Sequence, residues 1–308
     1  MESIIKNRFY NSRCLLIPSV IFLSVLFLSA LSSSLIGQEA EKVASGFVFP
    51  EGPSFDAQGN LYVVDCQTKN ITKITPDGKS SVFVTLPGKT NGSIIDSKGI
   101  LYLAGWDTRR VLKVLPNGTY SIYLESFQGK PLQGPNDFAI DSKGRLYFSD
   151  PLYDKDSTKC SRVLFVDTDG VVKHLVDIPG YTNGVAFGKD PSILYVAETI
   201  KKQVWKITVN PDGSMKNKSL FITLEPTDGP DGMKVDINGN LYVAAYGSGY
   251  IRCISPEGTV IKSIPVPGKN ITNLVFGGPN NNDIYVTETS TGCVYKIHVG
   301  VPGLVKPK

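Results

Sequence analysis

The sequence predicts an all-β fold: a six-bladed β-propeller of four-stranded blades, its ring closed by an N-terminal strand that joins the last blade. Three observations carry this expectation. Short strand-like runs with turn punctuation recur along the chain. No useful window shows apolar residues at helical spacing. One pattern also returns at a roughly constant interval, read most easily from a Leu-Tyr or Ile-Tyr pair. Its tyrosines are Tyr62, Tyr102, Tyr147, Tyr195, Tyr242 and Tyr285, with gaps of 40, 45, 48, 47 and 43 residues. A period in this range, with several short strands per unit, is that of a propeller blade.

Residues 1–37 stand apart. Lys6, Arg8 and Arg13 precede the apolar run Leu15 to Leu31, and small residues follow at Ser32 to Ser34. This is the layout of a signal peptide, and it implies export to the periplasm or beyond the cell. An uncleaved membrane anchor is the alternative, because the run approaches spanning length. Only in that case would the protein meet a membrane. The propeller is expected to occupy residues 38–308, as a monomer.

Unit one shows the expected blade in order: Ser54-Phe55, Leu61 to Val64, Ile71 to Thr75 and Ser81 to Leu86. Gln58-Gly59-Asn60 and Pro76-Asp77-Gly78 supply the turns, Pro fixing φ and Gly or Asn taking the left-handed corner. Later units repeat the third-strand turn at Asn117-Gly118, Asp169-Gly170, Asp212-Gly213 and Glu257-Gly258. The sixth unit lacks a fourth strand, ending in a short basic tail from Val299 to Lys308. Residues 42–49 are therefore expected to pair as its outer strand, leaving no open edge.

The net charge is +4, falling to about +2 once Lys6, Arg8, Arg13 and Glu2 are set aside. No basic block remains, so a nucleic-acid partner is not expected. Cys66, Cys160, Cys253 and Cys293 show no C-x-x-C spacing and read as thiols, with room for one disulfide after export.

The tyrosines also locate a second register. Eleven residues before Tyr62, Tyr102, Tyr147 and Tyr242 lie Glu51, Asn91, Asn136 and Asp231. Units four and six have a turn longer by one residue, and there the count gives Asn183 and Asn273. Asn-Gly and Asp-Gly are ordinary turn dipeptides. However, Glu51, Asn136 and Asn273 carry no such turn signal, and all six units share the position. The first strand of a propeller blade lines the central channel, so these oxygens are expected to converge at one mouth. Carboxylate and carboxamide oxygens without Cys or His suit a hard cation: Ca²⁺ first, with Mg²⁺, Mn²⁺ or Zn²⁺ as competitors.

At these residues the chain resembles the SMP-30/gluconolactonase/LRE-like family of six-bladed propellers. The likeness covers residues 45–298 and rests on several stretches together. They are Glu51-Gly52-Pro53, Gly134-Pro135-Asn136-Asp137, Thr182-Asn183-Gly184, Pro230-Asp231-Gly232-Met233 and Thr272 through Pro279. The resemblance implies a divalent cation held by Glu51, Asn183 and Asp231, with Asn136 beside it, and hydrolysis of a sugar lactone or similar cyclic ester. Animal members that act on sugar acids carry an Arg two residues before the Asn matching Asn136; here that position is Gly134.

The expected chemistry is metal-assisted attack of water on the lactone carbonyl, with Asp231 as general base or, in a variant mechanism, as nucleophile. Asn136, Asn91, Asn273 and Asp137 are the expected substrate contacts. Asp137, Asp150 and Glu198 read either as groups that line the channel or support its ligands, or as solvated strand ends, and Trp106 and Tyr246 either as pocket walls or as packing. His174 and His298 fall outside the ring, which argues against a His-dependent triad. The rival class is a non-catalytic binding propeller whose ring holds a structural ion.

Overall fold

Each blade begins at the axis and ends at the rim, because its strands pair in chain order. In the computed structural model, which describes residues 39–153 and 160–304, blade one runs Pro50–Phe55, Leu61–Asp65, Asn70–Ile74 and Ser80–Thr85. Every neighbouring pair is antiparallel. The inner strands of the next five blades are Ser93–Ile95, Phe138–Ile140, Thr182–Phe187, Gly229–Val235 and Ile271–Gly277. Six four-stranded sheets thus form a six-bladed propeller, with no helix among the described residues. The export segment expected over residues 1–37 lies outside the described residues, as do residues 154–159 of the blade-three loop and the last four residues of the basic tail.

The ring closes as the sequence predicts, though with a shorter strand. Glu41–Ser45 pairs antiparallel with Cys293–His298 of the last blade, from Glu41 opposite Lys296 to Ser45 opposite Cys293. Phe47 N–H makes one last bond, to the Gly292 carbonyl at 3.2 Å, and residues 48 and 49 do not continue that ladder. The amides of Val48 and Phe49 instead donate to the Asp65 carboxylate at 3.0 and 3.1 Å, which turns the chain into blade one. The tail crosses the opposite way: Leu304 N–H donates to the Val235 carbonyl, and Gly303 bridges Asp236.

The recurring tyrosines have a packing reason. Tyr62 meets Phe83, Tyr102 meets Tyr123 and Tyr195 meets Phe221 within their blades, at centroid distances of 4.8 to 5.1 Å. Tyr242 and Tyr285 reach instead to Phe276 and Phe55 of the following blade. Such pairs add about 0.5–1.5 kcal/mol each beyond the area they bury. An aspartate six residues before the tyrosine sets the inner turn. Oδ1 of Asp56, Asp96, Asp141 and Asp236 accepts the amides two and four residues on, at 2.9 to 3.0 Å. This side-chain mimicry of a backbone turn fixes the hairpin between first and second strands. Cys66, Cys160, Cys253 and Cys293 are all free thiols.

If Glu41–Ser45 closes the ring, a chain beginning at Gly46 will melt at least about 10 °C below one beginning at Gln38 and will self-associate through the exposed Cys293–His298 edge. Differential scanning fluorimetry and size-exclusion chromatography read both effects; identical melting would refute the closure.

Candidate functional site

The six inner strands touch one another in sequence around the axis. Consecutive strands are tied at the level of the polar ring. Ser93 Oγ donates to the Gly52 carbonyl at 2.5 Å, and Gly92 N–H donates to the Asn136 carbonyl at 2.7 Å. Val185 N–H donates to Asp137 Oδ2 at 3.2 Å, and Thr199 Oγ1 to the Pro230 carbonyl at 2.8 Å. Thr272 Oγ1 closes the circle on the Pro50 carbonyl at 2.8 Å.

Such close approach leaves no room after the ring residue. A Cβ on Gly52 would stand 2.6 Å from the Asn91 carbonyl oxygen, and one on Gly92 2.8 Å from Asp137 Oδ1. A Cβ on Gly184 would run into the Asp231 carbonyl, and one on Gly232 into the Asn273 carboxamide. The glycine of the Asn-Gly and Asp-Gly pairs is therefore a packing requirement between blades. Pairing also slips by bulges beside Glu51, Asn183, Asp231 and Asn273. A bulge re-aims the side chain it carries.

Around this ring Glu51, Asn136, Asn183, Asp231 and Asn273 are buried, while Asn91 is half-buried. Asp137 is buried as well and joins the two ring carboxylates. Burial pushes the Glu51 carboxyl up to about 8, aided by the charge of Asp137 and opposed by the Gly52 amide, which donates to Glu51 Oε2 at 3.0 Å. Burial likewise holds Asp231 well above the carboxylate range, and the charges of Glu51 and Asp137 add to it. Asp137 is raised by burial, with Lys234 as its main opposing charge. Lys234 was not anticipated from the sequence; it follows Asp231 by three residues on the same inner strand and also lowers Glu51.

The carboxamides divide into two kinds. Asn273 hydrogen-bonds both Glu51 and Asp137, and its Oδ1 accepts from Leu274 N–H. The amino groups of Asn136 and Asn183 donate to Tyr181 Oη and Thr199 Oγ1, both at 3.2 Å, and the Asn183 side chain also hydrogen-bonds Asp231. Their Oδ1 atoms are buried without a hydrogen-bond partner. Buried orphan acceptors are costly and need an explanation. Two such oxygens among desolvated carboxylates fit a hard cation. Among the described residues no three His, Cys, Asp or Glu side chains form a metal-binding group by themselves, so the carboxamides would have to complete the shell.

Asp150 and Glu198 do not belong to this cluster. Asp150 accepts the amides of Gln133 and Gly134 at 2.8 Å and pairs with Arg162 Nε at 2.8 Å. Glu198 accepts the amide of Tyr181 at 2.8 Å. Asp65 and Glu288 do the same for Phe49 and Asn270, each standing three residues after its tyrosine. These acids hold the segment leading into each inner strand, which the sequence pattern could have shown. His174 and His298 lie on exposed positions, paired with Asp177 and Asp283.

Above the ring, Tyr181 stacks edge-on against Tyr153 at 5.1 Å, and Tyr153 lies 5.2 Å from Trp106. Tyr246 stands on the side of Asp231, whose charge, after burial, holds its phenol up.

Comparison with known proteins bears on this geometry. The model of the SMP-30/gluconolactonase/LRE-like region matches residues 49–290. The chain belongs to this family. The lactonase drp35 of Staphylococcus aureus is 28% identical over 237 residues, covering 71% of this chain and 70% of that one. The pentonolactonase XacC of Haloferax volcanii is 30% identical over 154 residues, 49% of this chain and 52% of the relative. The match thus spans about half the length of that lactonase. A solved structure of regucalcin from Agrobacterium tumefaciens, described as a calcium-binding protein, superposes with a TM-score of 0.77 at 21% identity. It covers 88% of this chain and 97% of that one, a likeness of fold.

Two outcomes test the electrostatics. Glu51 folds with a raised pKa, so in chelator the native state keeps a proton that the unfolded chain releases above pH 4.5. Stability must then fall as pH rises from about 4.5 to about 8 and level off above it. Melting curves in EDTA should show this slope for the parent and a shallower one for Glu51→Gln; equal slopes would exclude the assignment. Gly184→Ala should cost about 2–4 kcal/mol in urea unfolding, because backbone of the next blade must move; a loss under about 0.5 kcal/mol would show the contact to be soft.

Proposed function

We propose that this protein is a divalent-cation-dependent lactonase that opens a sugar lactone or similar cyclic ester to its hydroxy acid. The observation that carries this reading is the buried ring itself. Carboxyl groups whose ionisation burial and mutual repulsion oppose stand beside two carboxamide oxygens without a hydrogen-bond partner. The lactonases among the relatives and the family membership support the reaction class.

Glu51, Asn183 and Asp231 would hold the cation, with the Asn136 oxygen beside them. The cation, Ca²⁺ by the hardness of this donor set, would polarise the lactone carbonyl and stabilise the oxyanion formed on attack. Positive charge at the ring would also let Asp231 ionise at neutral pH, reversing the effect of its acidic neighbours.

Asp231 then has a base's task. Its carboxylate takes a proton from the water that attacks the carbonyl carbon. It returns that proton to the ring oxygen as the C–O bond breaks. Glu51 contributes charge alone, since its hydrogen bond to the Gly52 amide fixes one oxygen. The Asn136 amino group, tied to Tyr181 Oη, keeps the carboxamide oxygen turned into the ring. Asn91, the half-buried member, is the ring group best placed to meet substrate entering from solvent. The basic and apolar pattern of residues 1–37 places this activity outside the cytoplasm in our reading.

The test is hydrolysis of δ-gluconolactone and simple δ-lactones, followed by acid release. EDTA should abolish turnover and Ca²⁺ should restore it. Asp231→Asn should lower kcat/KM by about 10²–10⁴-fold while the protein still takes up a cation. Chelator-resistant turnover, or full activity in Asp231→Asn, would overturn the mechanism. An inert, tightly held ion with no lactone hydrolysed would instead favour a binding propeller.

A further inference from the structure

We infer that Thr199 is a positioning residue of the candidate cation site. Its hydroxyl fixes which way the Asn183 carboxamide faces and so leaves the Asn183 oxygen for the cation, a role that rests on the cation-dependent reading of the ring and adds to it a residue outside the ring.

A carboxamide has a donor end and an acceptor end of nearly the same shape, so its neighbours must choose between them. At Asn183 the direction of one proton makes the choice. Thr199 Oγ1 donates to the Pro230 carbonyl at 2.8 Å. A hydroxyl has a single proton to give. Toward Asn183 it can therefore only accept, and the Asn183 amino group donates to it at 3.2 Å. Asp231 hydrogen-bonds the same side chain; because Asn183 Oδ1 is without a partner, that bond too runs from the amino group. The oxygen is left over, and at 5% exposure of the residue it has no recourse to solvent. Of the two acceptors that hold the amino group, Asp231 is itself a proposed ligand and Thr199 is not. Thr199 is thus free to keep the orientation whether or not a cation is bound.

The hydroxyl is itself held in place. Thr199 stands four residues after Tyr195, just beyond the strand Ile193–Glu198. Its N–H donates to the Tyr181 carbonyl at 3.0 Å. Its methyl faces Gly229, where a Cβ would lie 3.2 Å from Thr199 Cγ2. A β-branched side chain has few χ1 choices, and these contacts settle it together with the bond to Pro230. Pro230 precedes Asp231. One side chain therefore links the carboxamide of blade four to the backbone that carries the carboxylate of blade five.

Blade six shows that this link is not a requirement of the fold. There the residue before the ring position spans the blades, Thr272 Oγ1 donating to the Pro50 carbonyl at 2.8 Å. Blade four has Thr182 at that place, buried, with its hydroxyl unpartnered, and Thr199 takes the Pro230 carbonyl. Blade six also carries a threonine four residues after its tyrosine, Thr289. Its Oγ1 donates to the Asn270 carbonyl at 3.3 Å, and Asn273 spends its Oδ1 on Leu274 N–H. The same residue type in the same place thus orients a ring carboxamide in blade four and not in blade six. The difference falls on a carboxamide whose oxygen is unpartnered.

Calcium titration calorimetry of the chelator-stripped protein tests the role. Thr199→Val keeps the shape, removes the hydroxyl and should weaken Ca²⁺ binding by about tenfold. Thr199→Ser keeps the hydroxyl and should bind within about threefold of the parent. Asn183→Asp supplies the control, because a carboxylate offers oxygen at both ends and needs no orienting. In that background Thr199→Val should change the affinity by less than about threefold. A parent-like Thr199→Val, or a Thr199→Ser as weak as Thr199→Val, would overturn the inference. So would an equal loss in the Asn183→Asp background, which marks a general structural effect. Thr199→Ala replaces Thr199→Val should the latter fail to fold in EDTA. If the parent takes up none of Ca²⁺, Mg²⁺ and Mn²⁺, the cation reading fails instead. The orientation is then judged by urea unfolding of Thr199→Val, Asn183→Ala and the double variant. A coupling of at least about threefold in the unfolding constant sustains it, and a smaller one ends it.

Discussion

The structure depends on how closely six inner strands can approach one axis. Backbone meets backbone at the ring, and hydrogen bonds such as Gly92 N–H to the Asn136 carbonyl leave no space for a side chain between blades. Glycine at 52, 92, 184 and 232 meets that constraint in four blades. In blade three Asp137 stands in the same place and turns its carboxylate to the Val185 amide. The close approach thus brings a third buried acid to the axis.

Electrostatics follows from this packing. Glu51, Asp137 and Asp231 share a buried site, with Lys234 as an opposing charge for Glu51 and Asp137. Burial and like charge both favour the protonated acids. Asn273 spends its carboxamide on two of these carboxylates, whereas Asn136 and Asn183 leave oxygens unpaired. The six equivalent positions are thus unequal. Two amides are aimed inward, one is consumed by its neighbours and one, Asn91, stands at the rim.

Around this centre lie two supporting sets of acids with different work. Asp56, Asp96, Asp141 and Asp236 shape the inner hairpin turns. Asp65, Asp150, Glu198 and Glu288 hold the segments that lead into the ring. Both sets recur at a fixed distance from the tyrosine, so they are legible in hindsight from one sequence. Neither of the two readings left open for Asp150 and Glu198, channel group or solvated strand end, used that spacing: a strand-end carboxylate three residues after the tyrosine serves the incoming loop.

Periodicity alone determined the blade count, the strand order and the six ring positions, because a repeated local pattern must give repeated local structure. It also located the closing strand, except that pairing stops at Ser45 where the Asp65 carboxylate captures the chain. Tertiary structure decided what each ring member does. Whether a carboxamide oxygen is free depends on partners from elsewhere in the chain, such as Tyr181 for Asn136 and Thr199 for Asn183. The Lys234 countercharge and the Tyr153 ring over Gly134 are likewise contacts across blades and loops. Sequence spacing fixes neighbours along a strand; only closure of the propeller fixes neighbours around its axis.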